Sequence, residues 1–119
     1  IYEDERVRDL PAEIVERHFL KGKGDRVGMI KVKPHLTQMV RYRRINLMDD
    51  TFPIKGPLDL IFCRNVMIYF DRPTQAQLVN KFYRYLKPGG FLFIGHSESL
   101  QRLEQPFKAI APTIYQKEA

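Results

Sequence analysis

The run Leu58-Asp59-Leu60-Ile61-Phe62-Cys63-Arg64-Asn65 changes character in mid-course. Its first six residues are apolar except for Asp59. That length and composition predict a strand buried on both faces, as in a parallel α/β sheet. Arg64 and Asn65 then arrive together where the strand should stop. Open α/β sheets bind their ligands in the crevice at the carboxyl ends of the strands. A polar pair placed there, with Tyr69 shortly after it, marks a site rather than a core.

Downstream, Asp71-Arg72-Pro73-Thr74 opens a helix, with Asp71 or Thr74 as its cap. Leu78, Phe82, Tyr85 and Leu86 form its apolar stripe, and Lys87-Pro88-Gly89-Gly90 ends it. Phe91-Leu92-Phe93-Ile94 reads as a second buried strand, completing a right-handed βαβ unit. Gly95-His96-Ser97-Glu98-Ser99 leaves the sheet at the same end as Arg64. A short helix is predicted through Leu100 and Leu103. A final hairpin is predicted from Phe107–Ile110 and Thr113–Gln116.

Upstream, Asp49 to Pro57 is a loop broken by Pro53, Gly56 and Pro57. Met39 to Leu47 alternates, predicting a strand that feeds the main sheet and ends at Asn46-Leu47. Met29 to Lys33 also alternates and is stopped by Pro34. These runs predict a small antiparallel β unit. Before it, Pro11 suits a first helical position, and Ile14, Val15, Phe19 and Leu20 give one helical face ending before Gly22. The expected division is a helical lead-in over 1–20, a basic β subdomain over 21–44 and the main α/β part over 45–119.

The chain has 119 residues, of which 44% are hydrophobic, so it is one globular domain or part of one. Its single cysteine, Cys63, lies inside an apolar run and reads as structural; it points to a reducing, cytoplasmic setting. No apolar run approaches the ~20 residues needed to span a bilayer. The net charge of +6 is local: residues 16–44 carry nine basic and two acidic side chains. Charge confined in this way fits an acidic protein partner at least as well as nucleic acid. His18, His35 and His96 are too scattered in sequence for a metal motif, and Cys63 has no cysteine partner, so no metal is expected.

Phe62 to Phe70, FCRNVMIYF, resembles the chemotaxis receptor methyltransferases of the CheR type. Gly95-His96-Ser97-Glu98-Ser99 and Arg44-Ile45-Asn46-Leu47 carry the same resemblance, in the family's order. It spans Ile1 to about Lys117. The resemblance implies the C-terminal part of a Rossmann-like methyltransferase sheet with a small antiparallel β subdomain. It implies S-adenosyl-L-methionine as cofactor, S-adenosyl-L-homocysteine as product, and glutamate side chains of methyl-accepting chemoreceptors as substrate. It places Asn46, Leu47, Arg64 and Asn65 in the cofactor pocket and Tyr69 beside the transferred methyl. It also implies docking on receptor cytoplasmic helices, in some members through a receptor-tail peptide held by the β subdomain. A soluble enzyme recruited to membrane receptors, without membrane insertion, is the expectation.

The residues themselves leave alternatives open. Asn65 can donate and accept, so it suits either the amino-acid part of the cofactor or the methyl acceptor, or else loop backbone. Asn46 alone would read as a turn residue, and Tyr69 as a core aromatic beside Phe70. His96, Ser97 and Glu98 are consecutive and do not form a hydrolase elbow; a structural role in closing the sheet end and hydrogen-bonding loop backbone is expected. A Gly-rich turn after a first strand and an acidic ribose-binding residue after a second would normally precede this part of the fold. Neither is in the sequence. The first two central strands are therefore expected to lie outside this chain, which alone should be inactive. Rival readings are a related methyltransferase acting on another acid, a non-catalytic module that docks an acidic partner, and a nucleic-acid binder.

Overall fold

The computed structural model describes residues 1–119 and divides into two compact units, Ile1–Arg43 and Arg44–Ala119. The first unit contains β1 (Tyr2–Glu3), α1 (Ala12–His18), β2 (Phe19–Lys21), β3 (Met29–Val32) and α2 (Pro34–Thr37). Its three strands form an antiparallel sheet in the order β1-β3-β2, with Tyr2 opposite Ile30 and Phe19 opposite Val32. Ile30 is its buried centre.

A small antiparallel sheet is present, as expected, but two of its strands come from the first 21 residues. Phe19 and Leu20 are not helical. Phe19 is extended, at φ −128° and ψ 150°, and pairs with β3. A helix this short gains little from propagation, so a waiting strand partner wins. Pro11 caps α1 from outside instead of occupying its first turn. Pro34 does end β3, and it opens α2.

The strand expected over Met39–Leu47 does not form. Residues 39–46 join no ladder, and Met39, Val40 and Tyr42 are exposed, Tyr42 at 87%. Alternation fits a half-buried strand only where a neighbouring strand takes up its hydrogen bonds, and these residues have none.

The second unit contains β4 (Leu58–Cys63), α3 (Arg72–Tyr85), β5 (Leu86–Ile94), β6 (Lys108–Ala111) and β7 (Ile114–Gln116). The sheet order is β4-β5-β7-β6. β4 and β5 run parallel, with Ile61 opposite Leu92 and Cys63 opposite Ile94; the other pairs are antiparallel. Strand, helix, strand and closing hairpin are present in the expected order, but Leu86, expected on the helix stripe, is extended, and β5 runs from Leu86 through Lys87-Pro88-Gly89-Gly90 where only Phe91–Ile94 was expected as strand. Asp71 caps α3 by accepting the Thr74 N–H at 2.9 Å. Leu78, Val79 and Phe82 of the helix join Leu86, Leu92, Ile94 and Tyr115 of the sheet in one core.

Two further expectations fail in this unit. β4 is not buried on both faces: it is an edge strand, with Leu60 41% and Phe62 62% exposed. No strand of the chain lies on its outer side. The helix expected through Leu100 and Leu103 is a set of turns. The Leu100 N–H goes to the Tyr115 hydroxyl at 3.1 Å and Gln101 N–H to Ser99 Oγ at 3.3 Å. With those donors taken, a single turn closes from Leu103 to Leu100. No helix of the chain is long and apolar enough to cross a membrane.

Candidate active site

β4 ends at Cys63, and the next two residues, Arg64 and Asn65, are exposed. Asn65 has φ 62°, the left-handed region that asparagine tolerates better than most side chains. Its N–H donates to Glu98 Oε1 at 2.9 Å, and the Gly95 N–H donates to the same oxygen at 2.7 Å. One carboxylate oxygen thus ties the carboxyl end of β4 to that of β5. Gly95 is required there. A Cβ on it would run into Asn65 Oδ1 and stand 2.8 Å from Glu98 Oε1.

Tyr69 closes a 3-10 turn, Met67–Tyr69. Met67 is buried and Tyr69 is 79% exposed, so Tyr69 is not a core aromatic. Its backbone is nevertheless fixed. Gln75 of α3 donates to the Met67 carbonyl at 2.7 Å and to the Phe70 carbonyl at 3.2 Å.

Asn46 and Leu47 do not end a strand. They sit in a turn in which Asn46 Oδ1 accepts the Met48 N–H at 3.0 Å. The turn-residue reading of Asn46 is therefore correct at the level of the backbone, and its amide NH2 remains available to a ligand. Leu47 is held from beneath: Lys81 Nζ donates to its carbonyl at 3.0 Å. Lys81 is buried, and its ammonium lies 5.8 Å from the Phe52 ring centroid. Phe52 in turn stacks on Tyr85 at 5.3 Å and donates its N–H to the Tyr85 hydroxyl at 2.7 Å. One helix, α3, therefore anchors both segments that carry the candidate residues, through Gln75 and Lys81.

The structural role expected for Glu98 at the sheet end is seen, its Oε1 taking the Asn65 and Gly95 N–H groups; sequence reasoning passed over Gln75 and Lys81. The signal for Lys81 was a lysine between Leu78 and Phe82, on the side of the helix that should be apolar. A cation there needs an acceptor, and the Leu47 carbonyl is that acceptor.

Cys63 is buried, and burial, followed by the negative charge of Glu98, pushes its thiol up to about 11. It is a neutral thiol at physiological pH and a poor nucleophile. Glu98, 8% exposed, spends one oxygen on backbone N–H groups, while its Oε2 is buried with no partner. The sequence made His18 and His35 look scattered, but they meet, Nδ1 to Nε2 at 2.9 Å. No group of three or more His, Cys, Asp or Glu side chains converges as a metal site.

Parallel strands joined through a helix, with polar residues gathered at their carboxyl ends, define a ligand-binding α/β domain. Residues 1–116 match the family described as "CheR methyltransferase, SAM binding domain", and the chain belongs to that family. It is 42% identical over 115 residues to a chemotaxis protein methyltransferase of Klebsiella aerogenes, covering 97% of this chain and 40% of the relative. The Escherichia coli K12 chemotaxis protein methyltransferase is 40% identical over the same shares. That of Borreliella burgdorferi is 42% identical over 117 residues, 98% of this chain and 40% of the relative. The chain thus spans about two fifths of the length of the curated relatives it matches.

S-adenosylmethionine is the cofactor of this domain. Asn46, Arg64 and Asn65 are exposed and carry hydrogen-bond donors, and Leu47 is half-buried and apolar; the chemistry of these side chains suits a ligand with a polar amino-acid end and an aromatic base. The close approach at Gly95 and the unspent Oε2 of Glu98 show polar groups packed tightly at the same strand ends.

Proposed function

We propose that the full-length protein is an S-adenosylmethionine-dependent protein-glutamate O-methyltransferase acting on chemoreceptors, and that this chain supplies part of its Rossmann-like catalytic domain. The observation that carries the reading is the placement of Arg64 and Asn65 immediately past β4, with the Asn65 backbone locked by Glu98. The names of the relatives, all chemotaxis protein methyltransferases, give the direction of the activity.

When bound, S-adenosylmethionine supplies an electrophilic methyl group on a sulfonium. Asn46, Leu47, Arg64 and Asn65 hold that ligand, and Tyr69 lines the space where the acceptor arrives. A glutamate carboxylate is ionised at neutral pH and is already a nucleophile, so no general base is needed. What the chain must provide is alignment, which is worth up to roughly 7–11 kcal/mol of a barrier. The exposed ring of Tyr69 on a pinned backbone suits that task.

The first unit is assigned to partner docking. Lys31, Arg41 and Arg43 are exposed and basic, and attract acidic receptor segments. Lys33 is partly engaged, donating to the Glu16 carbonyl at 3.0 Å. β1 and β2 are the two sheet edges, either of which can add a receptor-tail peptide as a further strand. The isolated 119-residue chain is inactive on this reading, because β4 leaves Leu60 and Phe62 facing solvent beside the site.

The test is methyl transfer from labelled S-adenosylmethionine to a receptor cytoplasmic fragment, using the full-length protein. The expected product is a base-labile methyl ester that disappears when the receptor glutamates are replaced by alanine. Label that resists base, or that persists without those glutamates, contradicts the reading. Turnover by the 119-residue chain alone contradicts its last part.

A further inference from the structure

Glu98 is almost fully buried at the sheet end, yet it belongs to no ion pair and donates nothing. One oxygen accepts two backbone N–H groups, from Asn65 and from Gly95, which belong to different strand ends. A carboxylate makes stronger hydrogen bonds to N–H groups than a neutral acceptor does. The residue it holds from β4 is Asn65, whose backbone sits in a conformation that a side chain disfavours. The residue it holds from β5 is Gly95, which has no side chain because Asn65 Oδ1 and Glu98 Oε1 occupy that space. Asn65, Gly95 and Glu98 are therefore one interlocked cluster, and the direction in which the Asn65 amide points depends on all three.

We propose that Glu98 is the positioning residue of the cofactor site: its carboxylate, bound to the Asn65 and Gly95 N–H groups, fixes Asn65 in the left-handed conformation that presents its amide to S-adenosylmethionine. Glu98 acts through Asn65 and does not itself touch the reacting atoms. The inference rests on the assignment of Asn65 to the cofactor and adds the cause of its geometry.

The experiment is calorimetric titration of the full-length protein with S-adenosylhomocysteine. The set comprises wild type, Glu98→Ala, Glu98→Gln, Asn65→Gly and the double variant Glu98→Ala/Asn65→Gly. Glu98→Ala is expected to weaken binding about tenfold or more, the scale of losing hydrogen bonds to a charged acceptor. Glu98→Gln keeps an oxygen that can accept both N–H groups and should recover most of that loss. Glycine at position 65 removes the amide while tolerating the positive φ. In that background the further change Glu98→Ala should alter affinity by less than about twofold, the non-additivity of residues that act together. A purely structural glutamate would give the same fold loss in both backgrounds, and that result overturns the proposal. So does wild-type affinity in Glu98→Ala. Should Glu98→Ala not fold, Glu98→Asp retains the charge and draws the carboxylate back from both N–H groups; wild-type affinity in folded Glu98→Asp overturns the proposal equally. Absence of binding by the wild type is a different result, which removes the cofactor assignment itself.

Discussion

At the scale of single residues, exposure separates chemistry from packing. Tyr69 lies among apolar residues in sequence, and nothing in FCRNVMIYF says which of its large side chains face inward. The turn decides it: Met67 points to the core and Tyr69 to solvent. Tyr69→Ala should therefore change stability by no more than about 0.5 kcal/mol, as substitutions away from packed features do. Turnover by the full-length protein should fall while S-adenosylhomocysteine affinity holds. Chemical denaturation beside a methylation assay checks both, and a large loss of stability would return Tyr69 to the core. Cys63 is the opposite case, buried and raised from an ordinary 9.0 to about 11. Once unfolded, the thiol ionises above its ordinary value while the folded one stays protonated. The stability Cys63 contributes is therefore complete below about 9 and is lost as pH rises toward about 11. Denaturation midpoints across that window should decline, and Cys63→Ala should flatten the decline. The same burial predicts slow alkylation of the native protein at neutral pH. The burial that chiefly raises the thiol was legible from the apolar run around Cys63, and a structural role for Glu98 at the sheet end was expected; that Glu98 reaches the Asn65 N–H, 33 positions away, was not, because it depends on the chain folding back onto the strand ends.

At the scale of elements, α3 explains most of what the sequence revealed and part of what it hid. Its cap, its stripe and the strands on either side were legible because local signals agree: Asp71 before Pro73, Leu78 and Phe82 at helical spacing, and two short apolar runs flanking it. Leu78 is fully buried, so Leu78→Ala should cost about 2–5 kcal/mol in equilibrium unfolding. A cost under about 1 kcal/mol would mean the helix is not seated on the sheet as described. Lys81 has another duty on the same helix. Lys81→Met keeps the apolar stem near Phe52 and removes the donor to the Leu47 carbonyl. Its expected effect is a severalfold weaker affinity for S-adenosylhomocysteine, about 1 kcal/mol, the net worth of one such bond. Unchanged affinity would show that the 46–48 turn holds its shape without α3. The illegible elements share a cause. Met39–Leu47 alternates as a strand should, and Phe19 and Leu20 extend a helical stripe. What each becomes depends on whether a partner strand lies alongside, and β3 lies beside Phe19 whereas no strand pairs with residues 39–46. Periodicity describes a face, and only the fold says whether that face is covered.

At the scale of the whole molecule, the outer side of β4 is the feature most in tension with the sequence. Leu58 to Cys63 reads as a strand covered on both faces, yet Phe62 is largely exposed and the edge has unpaired backbone groups. Within β4 the one charged residue is Asp59, which pairs with Lys87 at 2.7 Å on the surface. An edge of this kind, apolar and unprotected by inward charge, recruits other chains. The isolated 119-residue chain should therefore self-associate as its concentration rises, and Phe62→Lys should suppress this by placing a charge on the open edge. The same substitution should act in the other direction in the full-length protein if further strands cover β4 there, as the family resemblance implies. A lysine on a face that the larger fold covers loses its solvent and finds no partner, at a cost of about 2 kcal/mol or more. Sedimentation velocity on the short chain and thermal unfolding of the full-length protein make the pair of measurements. An improvement in the first with a loss in the second means that β4 is an interior strand of a larger sheet. A gain in the short chain with no loss in the full-length protein means that this edge stays open to solvent, and the cofactor site beside it must then be closed by something other than the sheet.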